Sequence, residues 1–404
     1  MFIVNRGMLK KTPLRICMIS SIPITLGFFK NLIRRLNQRH TELTLVSSDL
    51  PELYQFGSEF NCEVFPTTIS RRISPFHDIA SISKLWSYFR RKKLDIIHAH
   101  TPKGGLIGMI SSWLARIPNR VYTVHGLVLE TAKGLRRGVL WLAEWLSCKL
   151  ATQVLAVSPS LRQCVINEGI CPAEKISVLG SGSVCGIDLK RFSPNESFLS
   201  TRAKTRAEYH IPDDAIVIGF LGRLVFDKGI KTLVKAFEKL QQKVSKSYLL
   251  LVGNFETVRD SLDDETVQKI KDNAHIVYNN EFVSDVLPFY AAMDIVTLPS
   301  RREGFGLTLI EAAALELPTV GTKVTGCVDA VVDGVTGLLV EVDNSEELYQ
   351  GMLKLAQDSE LRKKLGRQGR ERVEAIFDSK MMIDRYINLY EKLTGRITNE
   401  SFIL

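Results

Sequence analysis

Short apolar runs alternate with longer amphipathic stretches along most of the chain. Runs of four to eight apolar residues between turn signals are typical of strands that are buried on both faces of a sheet. The predicted strands cover residues 14–20, 42–46, 62–65, 95–98, 120–124, 152–157 and 175–179 in the first half, and 215–221, 248–252, 275–278, 294–298, 319–321 and 337–340 in the second half.

The stretches between these runs show helical periodicity. The predicted helices cover residues 28–39, 79–91, 105–115, 135–150, 159–168, 230–243, 286–293, 307–316 and 378–393. Strands that alternate with helices indicate parallel sheets covered on both faces. The pattern occurs twice, so the predicted fold class is α/β with two doubly wound domains, and ligands are expected in a crevice at the carboxyl ends of the strands.

A chain of 404 residues is too long for one ordinary core. We predict an N-terminal domain over residues 1–195, a polar linker over 196–212, a second domain over 213–377, and a C-terminal segment, 378–404, whose helix packs back on the first domain. The glycines of residues 180–186 resemble a dinucleotide fingerprint, but Cys185 stands at the third glycine position and the segment is far from the first strand of either half.

Composition indicates the cellular compartment in which the protein is expected. No stretch approaches the ~20 apolar residues that span a bilayer, and the N-terminus lacks the features of a signal peptide. The seven cysteines contain no Cys-x-x-Cys, so they suggest neither a disulfide framework nor a zinc site. Scattered thiols fit a reducing cytosol, and we therefore expect a cytoplasmic protein.

Charge is distributed unevenly between the two halves. Residues 1–210 hold 29 Lys and Arg against 14 Asp and Glu, whereas the remainder holds 24 against 30. All four tryptophans lie in the basic half, as do clusters at residues 34–35, 71–72, 90–93 and 136–137. This asymmetry indicates an anionic partner. Without a nucleic-acid-binding motif, an anionic membrane surface is preferred to nucleic acid.

The most informative chemistry is an acidic pair, Glu303 and Glu311. The pair brackets the junction between the predicted strand 294–298 and the helix that follows it. Gly304 and Gly306 lie in that junction and lack a Cβ, so their backbone N–H groups can approach an anion where the helix dipole also favours one. The two carboxylates can accept hydrogen bonds from sugar hydroxyls. The plain alternative is that Glu311 pairs with a structural cation and Glu303 is solvated.

Several blocks in a fixed order carry a family resemblance. They are the E-x7-E element from Glu303 to Glu311, residues 219–224 with 227–229, residues 251–253 and 281–283, and residues 325–326 with 333–338. Together they resemble the family 4 retaining glycosyltransferases, which have the GT-B fold of two Rossmann-like domains facing across a cleft. Residues 98–105 and 122–126 are similar to the members that build bacterial capsule, O-antigen or exopolysaccharide units.

The resemblance implies a nucleotide diphosphate sugar as donor, with a UDP-linked N-acetylated hexose as the expected case. Arg223, Lys228 and the N–H groups of residues 304–307 would hold the diphosphate and stabilise the leaving group. Glu311 would accept hydrogen bonds from the ribose hydroxyls, and Glu303 would hold a hydroxyl of the transferred sugar. For Arg223 and Lys228 the alternative is a pair of surface salt bridges.

The same resemblance gives a set of site residues. The implied catalytic residues are His125, Glu303, Arg223 and Lys228. The implied donor-binding residues are Gly27, Arg223, Lys228, Glu303, Gly304, Phe305, Gly306, Leu307 and Glu311. Lys103 and Gly104 are the expected acceptor-side residues. His98 and His100 are predicted to face opposite ways. With no Asp-x-Asp in the sequence, we expect no catalytic metal and no cofactor besides the substrate.

The expected acceptor is a polyprenyl-diphosphate-linked glycan, reached by a peripheral enzyme on the inner face of the cytoplasmic membrane. Two other classes remain open. A sugar-nucleotide epimerase also uses two doubly wound domains, and would act on the donor alone. A catalytically silent nucleotide-sugar binding subunit would be expected to lose key polar residues, yet Arg223, Lys228, Glu303 and Glu311 are present.

Overall fold

The structure is a computed structural model. It describes residues 12–396 except residues 40, 71–73, 257–259 and 282. The basic pair at residues 71–72 and Phe282 of the motif at 281–283 lie outside the described residues.

Each of the predicted strands forms, with ends within two residues of those expected. The strands are β1 (Leu14–Ile19), β2 (Thr41–Ser47), β3 (Glu63–Pro66), β4 (Ile96–His100), β5 (Asn119–Val124), β6 (Gln153–Ala156), β7 (Ile176–Val178), β8 (Ile216–Leu221), β9 (Ser247–Val252), β10 (Ile276–Asn279), β11 (Ile295–Leu298), β12 (Thr319–Thr322) and β13 (Leu338–Val340). The inner strands are buried over most of their length, as their apolar runs indicated, whereas the edge strands β3, β7, β10 and β13 are only partly buried.

Helices connect the strands. They are α1 (Pro23–Leu26), α2 (Lys30–Asn37), α3 (Pro51–Phe60), α4 (Pro75–Lys92), α5 (Pro102–Leu114), α6 (Gly134–Leu150), α7 (Pro159–Asn167), α8 (Glu196–Glu208), α9 (Ile230–Lys243), α10 (Asp264–Asp272), α11 (Leu287–Ala292), α12 (Leu307–Ala314), α13 (Cys327–Ala330), α14 (Ser345–Gln357), α15 (Ser359–Ile376) and α16 (Ser379–Leu393). Short 3₁₀ turns cover Gly27–Phe29, Val128–Glu130 and Phe226–Lys228.

The strands form two sheets. One has the order β3-β2-β1-β4-β5-β6-β7, and the other has the order β10-β9-β8-β11-β12-β13. The pairs β1–β2, β1–β4, β8–β9 and β8–β11 are all parallel. In each sheet the strand order reverses at one point, between β1 and β4 and between β8 and β11 respectively. Such switch points are where doubly wound sheets leave a crevice for ligands.

The chain divides into two compact units. The first contains the chain up to Thr123, Ala143–Val154, and the chain from Tyr386 onward. The second contains Val124–Leu142 and Leu155–Arg385. The domain limits expected from the sequence stay a prediction.

The polar stretch that we expected to be a linker contains a helix, α8. The Arg206 side chain on α8 is buried and pairs with Asp294 at 2.8 Å, directly before β11. Its guanidinium also donates to the carbonyl oxygens of Ala292, Asp213 and Ala215. These bonds satisfy a charge that would otherwise be costly to bury, and they fix α8 to the second unit.

The prediction that His98 and His100 face opposite ways is wrong. Both side chains are buried, and their ring centroids lie 4.1 Å apart. The reason is simple: residues two apart in a strand share one face of the sheet, and both belong to β4. His98 is hydrogen-bonded to the Thr123 hydroxyl at 2.7 Å and to the Tyr390 hydroxyl at 2.6 Å.

Helix α6 carries a buried carboxyl, Glu144, that is hydrogen-bonded to a tyrosine of β5. The Tyr122 hydroxyl donates to Oε2 of Glu144 at 2.7 Å, and Glu144 is buried. Burial raises the pKa of Glu144 to about 7. None of the described helices is long and apolar enough to span a bilayer.

Candidate donor site at the second switch point

The candidate site is built from the two loops that leave β8 and β11. Arg223 follows β8 by two residues, and Lys228 ends the 3₁₀ turn before α9. Glu303 lies between β11 and α12, and Glu311 lies in α12. β8 and β11 are neighbours at the point where the strand order reverses, so both loops leave the same edge of the sheet side by side.

The turn after β11 requires glycine at two positions. Gly306 has φ +74° and precedes the first residue of α12, and no side chain among the described residues caps that helix end. A Cβ on Gly304 would lie 1.9 Å from the carbonyl oxygen of His125, so only glycine fits there. The uncapped N–H groups at the start of α12 can therefore donate to a ligand.

A cation and a carboxylate meet beside this helix end. The Lys228 ammonium forms an ion pair with Oε1 of Glu303, and both side chains are largely buried. The Ser300 hydroxyl donates to the same carboxylate oxygen at 2.7 Å. The structure thus brings two of the four predicted catalytic residues, Lys228 and Glu303, into direct contact. Their positions in the sequence did not predict this contact.

A second ion pair lies directly next to the first. Asp227 precedes Lys228, and Arg302 precedes Glu303. The Arg302 guanidinium contacts Oδ2 of Asp227 at 2.8 Å, and both side chains are again largely buried. The Thr131 hydroxyl donates to Asp227 at 3.2 Å and accepts from Arg302 Nε at 3.0 Å. The two loops are therefore joined by two adjacent ion pairs. One loop carries Asp227 followed by Lys228, and the other carries Arg302 followed by Glu303, so each charge faces one of opposite sign.

We expect the pair of Asp227 and Arg302 to hold Lys228 and Glu303 in position. Because each charge is largely buried, Asp227→Ala or Arg302→Ala alone should cost about 2–5 kcal/mol of folding free energy, by leaving the partner unpaired. The double variant should cost less than the sum of the two, with a coupling energy of about 1–3 kcal/mol. Denaturant unfolding of the four proteins measures this coupling, and additive losses would contradict it.

Glu311 is held by a tyrosine. The Tyr290 hydroxyl of α11 donates to Oε2 of Glu311 at 2.7 Å. Burial raises the pKa of Glu311 to about 7. Its side chain retains partial solvent exposure, so a ligand can reach it. On α12, Leu309 and the alanines at 312–314 are all buried, whereas Glu316, beyond the helix end, is exposed.

His125 and Arg223 have different surroundings. His125 follows β5 and is partly exposed, and burial lowers the pKa of its imidazole to about 4. The ring is therefore neutral at physiological pH and can exchange hydrogen bonds with a sugar hydroxyl. The Arg223 guanidinium is half exposed and pairs with Glu256 at 2.9 Å. This contact is the kind of surface salt bridge that the alternative interpretation of Arg223 requires.

Phe305 differs from the other turn residues. Its side chain is buried, and its ring packs edge-on against Phe377 at a centroid distance of 5.2 Å. Phe305 therefore anchors the turn, whereas its backbone N–H is the group available for ligand contact. Leu307 begins α12 and is partly exposed.

Three predicted site residues lie in the first unit. Gly27 begins a 3₁₀ turn with φ −58°, a conformation open to any residue. Lys103 and Gly104 lie at the start of α5, beside the switch point of the first sheet. The Lys103 ammonium contacts Oδ2 of Asp78 at 2.5 Å. These three residues and their assigned roles stay predictions, as do the roles of the second-unit residues.

Sequence reasoning missed the supporting residues Ser300, Arg302, Asp227 and Tyr290. Opposite charges directly before Lys228 and Glu303 were a usable signal for the second ion pair, whereas Tyr290 in an apolar helix offered none. Among the described residues, no group of three His, Cys, Asp or Glu side chains lies close enough to hold a metal ion.

Two family models match the chain, one in each half. The model described as Glycosyl transferases group 1 matches residues 201–372, and the model described as Glycosyltransferase Family 4 matches residues 28–190. The first match includes both loops of the candidate site, and the second includes Lys103, Gly104 and His125.

Relatives match over nearly the full length. The chain is 37% identical over 371 residues to the capsular polysaccharide biosynthesis glycosyltransferase CapM of Staphylococcus aureus, covering 92% of this chain and 94% of that protein. It is 24% identical to the UDP-Gal:alpha-D-GlcNAc-diphosphoundecaprenol alpha-1,3-galactosyltransferase of Escherichia coli, covering 86% and 88%.

A solved structure shares the architecture. Anabaena HepE in complex with UDP and glucose superimposes with a TM-score of 0.79 at 21% identity, covering 94% of this chain and 100% of that one. At that identity the likeness shows the fold alone. Taken with the family models and the 37% identical relative, it shows that this chain belongs to glycosyltransferase family 4 and has the GT-B fold.

Proposed function

We propose that this glycosyltransferase moves a sugar from a UDP-linked donor, with an N-acetylated hexose as first candidate, to a polyprenyl-diphosphate-linked glycan during assembly of a capsule or related surface polysaccharide. The named activities of the Staphylococcus aureus and Escherichia coli relatives support the pathway, the UDP donor and the lipid-linked acceptor. The galactosyl transfer in the name of the Escherichia coli relative supports a hexosyl transferase, and N-acetylhexosaminyl transfer is our proposal from the sequence resemblance.

The observation that carries this proposal is the pair of Lys228 and Glu303 on a glycine-built turn at the switch point of the second sheet. A diphosphate placed against the N–H groups of residues 304–307 would lie next to the Lys228 ammonium. Lys228 would then be shared between the phosphate and Glu303. Arg223 would leave its exposed contact with Glu256 and supply a second positive charge.

The chemical step needs stabilisation of the departing diphosphate. The N–H groups of residues 304–307 and the largely buried Lys228 ammonium already lie at the turn, and Arg223 would add a second positive charge once it leaves Glu256. Together these donors would stabilise the negative charge that develops on the diphosphate. This arrangement supplies the charge that a metal would otherwise supply, so we propose metal-independent transfer. Glu303 would accept a hydrogen bond from a sugar hydroxyl and favour the oxocarbenium-like transition state.

Retention of anomeric configuration is proposed to follow from front-face attack. The acceptor hydroxyl would approach from the side of the departing diphosphate, whose oxygen takes the proton, so no protein nucleophile is needed. The neutral imidazole of His125 would contact the donor sugar, since its backbone already packs against Gly304. Glu311 would accept hydrogen bonds from the ribose hydroxyls.

A ligand screen followed by a transfer assay tests the proposal. UDP-sugars, in excess over their dissociation constants, should add a few kcal/mol of stability in thermal unfolding, whereas GDP-, ADP- and dTDP-sugars should add less. With a polyprenyl-diphosphate-linked acceptor, the product should carry an α-linkage from an α-linked donor. An altered nucleotide sugar formed without acceptor would instead show an epimerase, and binding without turnover would show a silent subunit.

We further propose that the enzyme is peripheral on the inner leaflet, held there by its basic residues. Replacing Arg90, Arg91 and Lys93 by glutamine should weaken binding to anionic vesicles about 100-fold, at about 1 kcal/mol per charge, because all three side chains are exposed. Lys92 is left intact because it pairs with Glu63.

The control variant also loses three positive charges, but from the second unit. Lys235 and Lys243 on α9 and Lys271 on α10 are exposed in the second unit, and their replacement by glutamine should leave vesicle binding nearly unchanged. UDP-sugar binding should persist in both variants. Equal vesicle co-sedimentation of wild type and the Arg90, Arg91 and Lys93 variant would refute the electrostatic contribution.

A further inference from the structure

Three glycines from different loops meet at the turn after β11. Gly304 lies in that turn, Gly126 follows β5, and Gly326 follows β12. A Cβ on Gly126 would lie 3.4 Å from the backbone nitrogen of Gly304, and a Cβ on Gly326 would lie 2.6 Å from the carbonyl carbon and oxygen of Gly304. The backbones of the three loops are therefore in direct contact. We call Gly126, Gly304 and Gly326 the glycine stack.

Gly326 lies against the N–H groups that the proposed diphosphate site uses. A Cβ at position 326 would also lie 2.6 Å from the backbone nitrogen of Phe305, so any residue with a side chain would push the turn away. A side chain can rotate away from a displaced neighbour, but a packed backbone cannot, and close-packed interiors transmit such strain. A shift of Gly326 should therefore move the N–H groups of Gly304 and Phe305 with it.

Gly326 is held in place by two polar residues. Its N–H donates to the Ser160 hydroxyl at 2.8 Å, and that hydroxyl donates in turn to Oδ2 of Asp329. The Ser160 N–H donates to the same carboxylate oxygen at 3.1 Å. Ser160 is in the first turn of α7 and Asp329 is on α13, so these hydrogen bonds tie the starts of the two helices together.

A carboxylate fits the position of Asp329 for two reasons. Oδ2 accepts two hydrogen bonds from Ser160, and bonds to an ionised acceptor are stronger than those between neutral groups. The same oxygen lies at the start of α7, where the helix dipole favours a negative charge. Arg372 donates to the carbonyl oxygen of Asp329 at 3.0 Å. Asp329 is therefore anchored both by its side chain and by its backbone.

The residue before Gly326 is held by another loop. The Thr325 hydroxyl donates to Oε1 of Glu130 at 2.8 Å, and Glu130 lies four residues after Gly126. The loop after β5 therefore contacts the site twice, at Gly304 through Gly126 and at Thr325 through Glu130. Because Thr325 and Gly326 are both hydrogen-bonded, the loop after β12 has little freedom to move relative to the turn after β11.

We propose that Asp329 is a positioning residue for sugar transfer. Acting through Ser160 and Gly326, it holds the N–H groups of Gly304 and Phe305 where they meet the diphosphate of the donor, while its own carboxylate binds Ser160. The packing rests on the contacts alone, whereas the effect on the diphosphate rests on the proposed function. A misplacement of about 1 Å can lower a reaction rate about 100-fold, so the loss of Asp329 should affect the chemical step.

Four single variants test this role. Asp329→Ala removes the acceptor of both Ser160 donors, and Ser160→Ala removes the hydroxyl that joins Asp329 to Gly326. Asp329→Asn is the conservative change, because its side-chain oxygen can still accept from Ser160. Asp358→Ala is the matched control, since Asp358 also accepts from an N–H in the first turn of a helix, that of Leu361 at 2.8 Å, but it caps α15. Thermal unfolding checks that each variant is folded at the assay temperature.

We expect Asp329→Ala to lower kcat about 10–100-fold with a smaller change in KM, because the N–H groups stabilise charge that grows in the transition state. Asp329→Asn should retain kcat within about fivefold of wild type. Ser160→Ala should lose kcat like Asp329→Ala, and combining the two should add little, because both act through Gly326. Asp358→Ala should lower the melting temperature but retain kcat. Equal losses of kcat in Asp358→Ala and Asp329→Ala would overturn the proposal.

Hydrogen–deuterium exchange without ligand tests the packing independently of catalysis. Exchange across residues 303–309 should be faster in Asp329→Ala than in wild type, and unchanged in Asp358→Ala. Unchanged exchange in Asp329→Ala, or faster exchange with a wild-type kcat, would overturn the positioning role. A wild-type protein that neither binds UDP-sugars nor transfers sugar would refute the proposed function, and the exchange result would still decide whether Asp329 holds the turn.

Discussion

Replacing Lys228 by alanine is expected to lower kcat/KM for sugar transfer by about 10²–10³-fold, the effect of removing one preorganised group that stabilises transition-state charge. The Lys228 ammonium is largely buried beside the uncapped start of α12, so water cannot replace it efficiently. Because the charge on the diphosphate grows as the glycosidic bond breaks, most of the loss should appear in kcat and less in KM.

Lys231 provides a matched control three residues further along the chain. It also pairs with a carboxylate, that of Asp263 at 3.0 Å, but it lies outside the turn that forms the candidate site. Lys231→Ala should retain kcat/KM within a few fold. Similar losses in both variants, or a Lys228→Ala protein with near-normal kcat, would show that Lys228 does not hold the leaving group.

Glu311→Ala is expected to weaken UDP-sugar binding by about 10–100-fold. A hydrogen bond to a charged group contributes about 1.5–3 kcal/mol, and the carboxylate can accept from both ribose hydroxyls. The Tyr290 hydroxyl, which donates to Oε2 at 2.7 Å, would lose its partner and add to the loss. Calorimetric titration with UDP measures the affinity without involving the transferred sugar, and an unchanged dissociation constant would remove Glu311 from the ribose site.

The raised pKa of Glu311, about 7, adds a pH signature. Ribose hydroxyls donate to the ionised carboxylate, so UDP affinity should rise with pH up to about 7 and level off above it. The contribution of Glu311 to the free energy of unfolding should change with pH in the opposite direction. The folded protein binds this proton more tightly than the unfolded chain does, so the group's contribution to the free energy of unfolding falls as pH rises from its ordinary value of 4.5 to about 7.

Glu144 separates the two effects. Like Glu311, Glu144 accepts a hydrogen bond from a tyrosine hydroxyl at 2.7 Å and has a pKa raised to about 7, but it is fully buried and lies in the first unit. Glu144→Gln and Glu311→Gln should each flatten part of the fall in stability between pH 4.5 and 7. Only Glu311→Gln should flatten the pH dependence of UDP affinity, and equal flattening by Glu144→Gln would refute the assignment.

The inner strands were predictable because parallel strands buried on both faces must be apolar over most of their length. The helix α8 was not, because its polar sequence hides Arg206, whose burial depends on carbonyl oxygens elsewhere in the chain. His98 and His100 were placed on opposite faces although strand geometry puts them on the same one, so that error lay in the reasoning and not in the sequence.

The candidate site was partly predictable for a different reason. Glycines and charged residues directly after apolar runs fall at strand ends, and the structure places those of β8 and β11 at one switch point. What the sequence did not show is which side chains pair across the two loops. The contacts of Lys228 with Glu303 and of Arg302 with Asp227 join residues 75 positions apart, and only the folded chain brings them together.

A crystal structure of the protein with a bound UDP-sugar tests the central claim most directly. We predict that the diphosphate lies against the N–H groups of residues 304–307 and the Lys228 ammonium, with Glu311 on the ribose and Glu303 on the sugar. A nucleotide bound elsewhere, with the Lys228–Glu303 ion pair unchanged and both glutamates free of ligand contact, would contradict the account.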